Sequence, residues 1–343
     1  MQSFISGNHH HALEKALTWL QAGSRVALAI IIACKGSSPR PIGSQLVVRD
    51  DGCFAGSVTG GCIEADLVLR ARSVLHTGKP VCVSYKADQQ FAWEVGLACG
   101  GEIELFIMEL TMDHPYLAFA RNPGQATTIM TRLADGAIIA SDSIADSIAD
   151  TFQIKQTQGR IISLPDHGRV FVHPFLPALE IVVIGAVDIA RQLAAMVPVL
   201  NYTLRIIEPR PAWADALGES GIASDQRWPD EALAEEPLTA QSALAALSHD
   251  PRLDDLALVA AFASPAFYIG ALGSRKTHRT RCERLEAQGA EPAQLARIKA
   301  PIGLDIGAQT PAEIALSIIS EITLAHRGAK RDTKRSTRSG SWL

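Results

Sequence analysis

One cysteine in this sequence directly follows two glycines at a place where a thiol could contact a ligand. Cys62 follows Gly60 and Gly61 in the segment VTGGCIEAD, residues 58–66. The pattern predicts a turn between a strand and a helix, and backbone amides and the helix dipole at such a turn lower the pKa of a thiol. Cys62 is therefore a candidate soft ligand, although a small packed residue in a tight turn would show the same pattern.

A second cysteine has a similar setting. Cys99 precedes Gly100 and Gly101 in the segment GLACGGEIEL, residues 96–105, just before a predicted strand. Both cysteines lie beside glycine pairs in predicted loops, whereas other cysteines of the chain lie inside apolar runs. This contrast favours a functional interpretation for the pair, which includes contact with a soft metal centre.

A third loop of the N-terminal part could bind an anion. The segment KGSSPRPIG, residues 35–43, offers backbone amides, the hydroxyl of Ser38 and the guanidinium of Arg40. Clustered amides and an arginine are typical of phosphate sites. We interpret this loop as part of the same binding region.

The C-terminal half begins with a pattern that resembles a dinucleotide-binding turn. An apolar run ends at Gly185, and Glu208 follows 23 residues later at the end of the next predicted strand, where a Rossmann fold places its ribose-binding acid. However, Val187 replaces the second glycine of the fingerprint, and Asp188 puts a negative charge where a phosphate would lie. The turn therefore predicts a Rossmann-like fold and argues against NAD(P).

Other loops of this half add candidate binding groups. Ser274 and Arg275 start a predicted basic helix after a strand, and their amides and positive charge fit either a phosphate site or a solvated helix face. Asp305 lies in a glycine-punctuated loop and either orders that loop or contacts a ligand. His249 precedes a predicted strand at 256–261 and either contacts a ligand or caps a turn.

The elements that must position these residues fall into two groups. Alternating apolar patterns predict an α+β domain over residues 1–110, followed by a β-containing connection with a proline-rich linker over 111–178. Strands alternate with helices over 179–327, which predicts a parallel sheet and hence an α/β domain. The basic tail, residues 328–343, is predicted to be disordered.

Composition excludes several classes of protein. The 343 residues carry a net charge of −4, which gives no basic field for nucleic acid. No apolar run is long enough to span a bilayer, and no secretory signal precedes the first helix. The six cysteines lack paired CxxC spacing, which is typical of reduced thiols in the cytoplasm rather than of a zinc site.

Seven segments together resemble the XdhC/CoxI family, the xanthine dehydrogenase accessory proteins. They run in family order and read KGSSPRPIGSQLVV, GSVTGGCIEADLV, GLACGGEIELF, HPFLPALEIVVIGA, SHDPRLDDLAL, FYIGALGSRKTHRTRCERL and PIGLDIGAQTPAEIALSIISEI. The resemblance implies an N-terminal XdhC/CoxI domain and a C-terminal Rossmann-like domain. One departure is Asp188, which stands where relatives usually have histidine.

The resemblance also implies a function. Such proteins bind molybdenum cofactor (molybdopterin) as cargo and help to sulfurate it and deliver it to a xanthine dehydrogenase-type molybdenum hydroxylase, with a cysteine desulfurase as sulfur source. A chaperone is thus favoured over a catalyst, and an NAD(P)-dependent oxidoreductase is the alternative. A homodimer is a further expectation, because cyclic dimers are the commonest oligomers.

Overall fold

A computed structural model describes residues 9–36, 40–61, 63–86, 101–122, 124–141, 159–185 and 188–328. The chain divides into two compact units, residues 1–177 and 178–343. The residues singled out above that lie outside the described ranges are Ser38, Cys62, Cys99, Gly100, Val187 and the tail beyond 328.

The first unit contains two antiparallel sheets and three helices among its described residues. The strands are β1 (Val26–Lys35), β2 (Gln45–Arg49), β3 (Phe54–Gly56), β4 (Val81–Lys86), β5 (Glu102–Leu110), β6 (Thr127–Arg132), β7 (Ile138–Ser141), β8 (Arg160–Leu164) and β9 (Gly168–Phe175). The helices are α1 (His9–Gln21), α2 (Glu64–Thr77) and α3 (Pro115–Arg121). The sheet orders are β3-β2-β1-β5-β4 and β7-β6-β9-β8.

Strand β1 is apolar without a break because both of its faces are covered. Leu28, Ile30 and neighbours of the same parity pack in a cluster with α1 and α3. Ala29, Ile31 and neighbours of the other parity pack against α2. Successive side chains of a strand point to opposite faces, so a run such as Val26–Ile32 fits only the middle of a layered unit.

The region expected to be a less regular connection contributes regular structure to the first unit. Strands β6 to β9 form a sheet, and Ile129, Phe171 and Phe175 pack in the core cluster of α1 and β1. The sequence predicted short strands in this region, but not that they form one sheet. The long gap between β7 and β8 in sequence concealed that both belong to one sheet.

The second unit contains a parallel five-stranded sheet in the order β11-β10-β12-β13-β14. Its strands are β10 (Glu180–Ile184), β11 (Thr203–Ile207), β12 (Ser242–Ala246), β13 (Tyr268–Ala271) and β14 (Ile298–Lys299). Its helices are α4 (Asp188–Met196), a 3-10 turn (Val197–Leu200), α5 (Pro211–Gly218), α6 (Pro229–Glu235), α7 (Pro251–Phe262), α8 (Arg275–Ala287), α9 (Pro292–Leu295) and α10 (Pro311–Arg327). Helices cover both faces of the sheet, which confirms the predicted fold class.

One predicted strand of this unit is wrong. Residues 256–261 belong to helix α7, in which Ala257 and Leu258 are buried while Leu256 and Val259 are exposed, a helical rather than a strand period. Strand β12, which pairs with β10 on the side opposite β11, was not predicted, because its sequence Ser-Ala-Leu-Ala-Ala carries little β propensity.

Candidate functional site

The candidate loops of the first unit leave its larger sheet at a common edge. Strand β1 ends at Lys35, which pairs with Glu102 at the start of β5, and Lys86 at the end of β4 pairs with the same residue. Antiparallel pairing likewise puts the start of β2 and the end of β3 at this edge. The chain therefore enters and leaves the segments that contain Ser38, Cys62 and Cys99 at one edge of the sheet.

Two of the sequence candidates in this region are described next to that edge. Arg40 lies, partly exposed, in the loop before β2, and Gly101 is buried immediately before β5. The side chains of Lys35 and Lys86 lie 3.7 and 3.3 Å from the carboxylate of Glu102. The edge thus carries a group of basic side chains around one acid.

The Gly60–Gly61 turn is organised by Glu64, which the sequence analysis did not single out. The Glu64 carboxylate accepts hydrogen bonds from the backbone amides of Thr59 at 2.9 Å, Gly60 at 3.0 Å and Gly61 at 2.9 Å. The hydroxyls of Ser57 and Thr59 donate at 2.9 and 2.7 Å. Both glycines have positive φ angles, 85° and 123°, which a side chain would disfavour.

This arrangement revises the expected role of the turn. The expectation was that the amides of Gly60 and Gly61 lower the pKa of a thiol, but these amides donate hydrogen bonds to an internal carboxylate. Burial works against the ionisation of Glu64, yet the hydrogen bonds from Thr59, Ser57 and Gly61 outweigh it and lower its pKa to about 2. The turn is therefore held by the ionised carboxylate of Glu64, which supplies its negative charge.

The carboxyl edge of the parallel sheet forms the second candidate region. We define this edge by Gly185 and by residues 208–211, 247–250 and 272–275, which follow strands β10, β11, β12 and β13. Strand β11 lies on one side of β10 and β12 on the other, so the chain reverses its direction of strand addition at β10. In open α/β sheets ligands bind at such a switch point.

Gly185 allows two loops of this edge to meet. Its φ angle is +100°, and a Cβ atom at this position would lie 2.7 Å from Cα of Ser248. The role found for Gly185 is thus a close approach between the loops after β10 and β12. Asp188 starts α4 and forms an ion pair with Arg191 at 3.1 Å.

Glu208 lies where the sequence placed it, at the end of β11, but its carboxylate is not open to a ribose. The residue is fully buried, and Arg210 donates to its two oxygens through Nε at 2.7 Å and Nη2 at 2.6 Å. The sequence signal for this pair was the arginine two residues after the acid.

The loop after β12 is held by a buried network. Ser248 donates to Asp254 through its backbone amide at 3.2 Å and its hydroxyl at 2.6 Å, and Arg281 lies 3.4 Å from the same carboxylate. Burial raises the pKa of Asp254, against the hydrogen bonds from Ser248 and the charge of Arg281. His249, between these anchors, is exposed and has a φ angle of +58°, while Asp250 caps helix α7.

The remaining candidates of this unit are Ser274, Arg275 and Asp305, which lie in two different loops. Ser274 caps α8 by accepting a hydrogen bond from the amide of Thr277, and Arg275 is exposed at the first helical position. Asp305 is exposed in the loop before α10. No group of three or more metal-ligating side chains occurs within the described ranges, and none of the described helices is long and apolar enough to cross a membrane.

Two family models match this chain. The model of the XdhC and CoxI family matches residues 19–86, and that of the XdhC Rossmann domain matches residues 181–322. The chain belongs to the XdhC/CoxI family. The sequence resemblance is thereby confirmed in both halves of this family member.

Relatives of this family member extend over its length. It is 26% identical over 338 residues to the molybdenum cofactor insertion chaperone PaoD of Escherichia coli K12, covering 97% of this chain and 93% of the relative. It is 23% identical to a protein of Bacillus subtilis 168 described as a probable xanthine dehydrogenase subunit, covering 92% and 97%. A crystal structure from Bacillus halodurans, described as a xanthine dehydrogenase, has the same fold with a TM-score of 0.71 at 21% identity, covering 94% and 98%.

Proposed function

We propose that this protein is an accessory chaperone that binds molybdenum cofactor as cargo and assists its sulfuration and insertion into a xanthine dehydrogenase-type molybdenum hydroxylase. The observation that carries the proposal is the similarity to PaoD, a molybdenum cofactor insertion chaperone, over 97% of this chain. The similarity to a probable xanthine dehydrogenase subunit supports the class of client enzyme.

The first unit supplies the proposed metal-side contacts. We propose Cys62 and Cys99 as the thiols that face the molybdenum, since thiolates are soft ligands. What supports this is the common edge from which their flanking residues leave the sheet, with Gly60, Gly61 and Gly101 beside them. Ser38, Arg40 and Gly100 belong to the same proposed region.

Independently of the first unit, we propose contacts for a phosphate group in the second unit. Ser274 and Arg275 at the start of α8 offer amides and a cation, and Asp305 is an exposed polar group of the same unit. In our proposal Gly185 and Glu208 act indirectly. Gly185 permits the loop contact with Ser248, and Glu208 holds Arg210.

Cargo retention tests the proposal directly. The protein is loaded with isolated molybdenum cofactor, separated from free cofactor, and the retained molybdenum is measured for the wild type, Cys62→Ala and Cys99→Ala. Cys53→Ala serves as the matched control, because Cys53 is an exposed cysteine in the turn before β3. We expect the two tested variants to lose retention and the control to keep it. Retention by the wild type no better than by an unrelated protein contradicts the chaperone role.

Sulfuration requires a separate experiment. The client hydroxylase lacking its cofactor is reconstituted with unsulfurated cofactor, this protein and a cysteine desulfurase with free cysteine. We expect hydroxylase activity only when all components are present. Activity that does not depend on this protein contradicts its role in sulfuration, and substrate turnover with NAD(P)H by this protein alone would favour the alternative oxidoreductase.

A further inference from the structure

The second unit presents a cation at the place where a Rossmann fold usually presents an acid. Glu208 follows β11, the strand beside β10, and an acid at this position ordinarily accepts hydrogen bonds from ribose hydroxyls. Here the carboxylate is fully buried and bound by Arg210 through Nε, Nη2 and the backbone amide, the last at 3.0 Å. The acid therefore fixes the arginine instead of meeting a ligand.

Arg210 keeps part of its guanidinium accessible. Its side chain is 30% exposed, and its bonds to Glu208 use Nε and Nη2, so Nη1 has no hydrogen-bond partner among the residues that the structure describes. The guanidinium lies over the ring of Trp213, with 5.5 Å from Cζ to the ring centroid. Trp213 itself is 48% exposed, which is unusual for so large an apolar side chain.

The surrounding charges leave this guanidinium available. Its hydrogen bond to Glu208 raises the pKa of Arg210 despite partial burial, and Asp250 and Asp254 add to this by their charge. Both aspartates have arginine partners of their own, because Arg252 donates to Asp250 at 2.7 Å and Arg281 lies 3.4 Å from Asp254. Each aspartate is thus paired with another arginine and does not need Arg210 as its partner.

We propose that Arg210 and Trp213 form a receptor for a phosphate monoester carried on a planar heterocyclic ligand, and that Glu208 is the positioning residue of this receptor. A guanidinium is suited to phosphate oxygens, and an exposed indole can stack on a flat ring. A fixed arginine loses little freedom when it binds, which favours affinity. A ligand with an unmodified ribose diol finds no free acceptor in Glu208.

Two kinds of ligand carry both a phosphate monoester and a planar ring. Only the choice between them rests on the proposed function. Molybdenum cofactor carries a phosphate and a pterin ring, and a nucleotide phosphorylated on its ribose carries a phosphate and a base. The test therefore uses two matched pairs of probes: isolated cofactor with its phosphatase-treated form, and NADP⁺ with NAD⁺. Dissociation constants are measured on the full chain by equilibrium dialysis.

The variants separate the receptor from general charge effects. Arg210→Ala removes the cation, and Glu208→Gln/Arg210→Met removes it together with the buried charge, so that a folded protein can be compared. Arg132→Ala is the matched control, since Arg132, in the first unit, also donates to one carboxylate through Nε and Nη2 and is 31% exposed. Folding of each variant is verified by its thermal transition.

We expect the phosphorylated probe of at least one pair to bind tenfold or more tightly than its partner, as losing a charge-assisted hydrogen bond predicts. This difference should vanish in the Arg210 variants and persist in Arg132→Ala. No phosphate-dependent difference in either pair, or one that survives the loss of Arg210, overturns the inference. Selective NADP⁺ binding without cofactor retention would support the receptor while counting against the chaperone role.

Discussion

The backbone amide of Gly61 donates a 2.9 Å hydrogen bond to the carboxylate of Glu64, three residues further along the chain. The amides of Val58, Thr59 and Gly60 converge on the same carboxylate. Such a set of amides commonly holds a bound anion. In this family member a side chain supplies the anion, so the turn that leads to Cys62 forms without a bound ligand.

Replacing Glu64 by glutamine should loosen this turn. The NH₂ group of glutamine would face backbone amides that also donate, so several hydrogen bonds to a charged acceptor are lost or weakened. We expect amides 58–61 to exchange with solvent at least tenfold faster, as measured by hydrogen-exchange mass spectrometry. Glu102→Gln, which removes only partly exposed ion pairs, should leave these amides unchanged. Unchanged exchange in Glu64→Gln would mean that the carboxylate does not hold the turn.

The stability contributed by Glu64 should depend on pH in a defined window. Its pKa falls from 4.5 to about 2 on folding, so the contribution is complete above about pH 4.5 and is lost as the pH falls toward 2. The shift corresponds to about 3 kcal/mol. The free energy of unfolding of the first unit can be measured by urea titration, with hydrogen exchange of peptides from its larger sheet as the signal. We expect the difference in this free energy between wild type and Glu64→Gln to narrow from pH 6 to pH 3. A constant difference would exclude this ionisation as its cause.

Sequence patterns predicted the elements that repeat a clear period but not the contacts that act across turns. The ends of the strands before Gly185 and at Glu208 were predicted within one residue, because burial on both faces imposes a short apolar run. Strand β12 was missed, because its alanines signal neither a helix nor a strand. Asp250 and Pro251 are typical of a helix start and do begin α7. The apolar residues at 256–261 nevertheless led to the prediction of a strand.

The same limit applies to the candidate sites. Gly185 and Glu208 were found from their spacing. The approach of Gly185 to Ser248 joins two loops that are distant in sequence, and the bond from Arg210 to Glu208 depends on the side-chain rotamer, so neither contact could be predicted. Glu64 stands inside the segment that drew attention to Cys62. Its role could not be read from the sequence, because a single acid at a helix start equally fits an interaction with the helix dipole.

Arg281 and Asp254 should prove interdependent in the second unit. Their side chains are 4% and 2% exposed, so Arg281→Met leaves a buried carboxylate without its cation and should cost about 3–5 kcal/mol. Adding Asp254→Asn removes the stranded charge and should recover most of the loss, as followed by thermal unfolding. Arg284→Met, which breaks the more exposed pair with Asp255, should cost less than Arg281→Met. Equal losses for Arg281→Met and the double variant would show that the charge is not the reason.

Gly185 should tolerate no side chain, for a reason beyond its backbone angle. Gly185→Ala and Gly221→Ala both place alanine at a positive φ angle, +100° and +72°, so both should lose about 1 kcal/mol or more through strain. Only at Gly185 does the new Cβ approach Cα of Ser248 to 2.7 Å, while at Gly221 it meets open space. Because that contact is with backbone, one loop must move. We expect a clearly lower melting temperature for Gly185→Ala than for Gly221→Ala, and faster hydrogen exchange in residues 247–250 of that variant alone. Similar behaviour of the two variants would show that the loops after β10 and β12 do not depend on this approach.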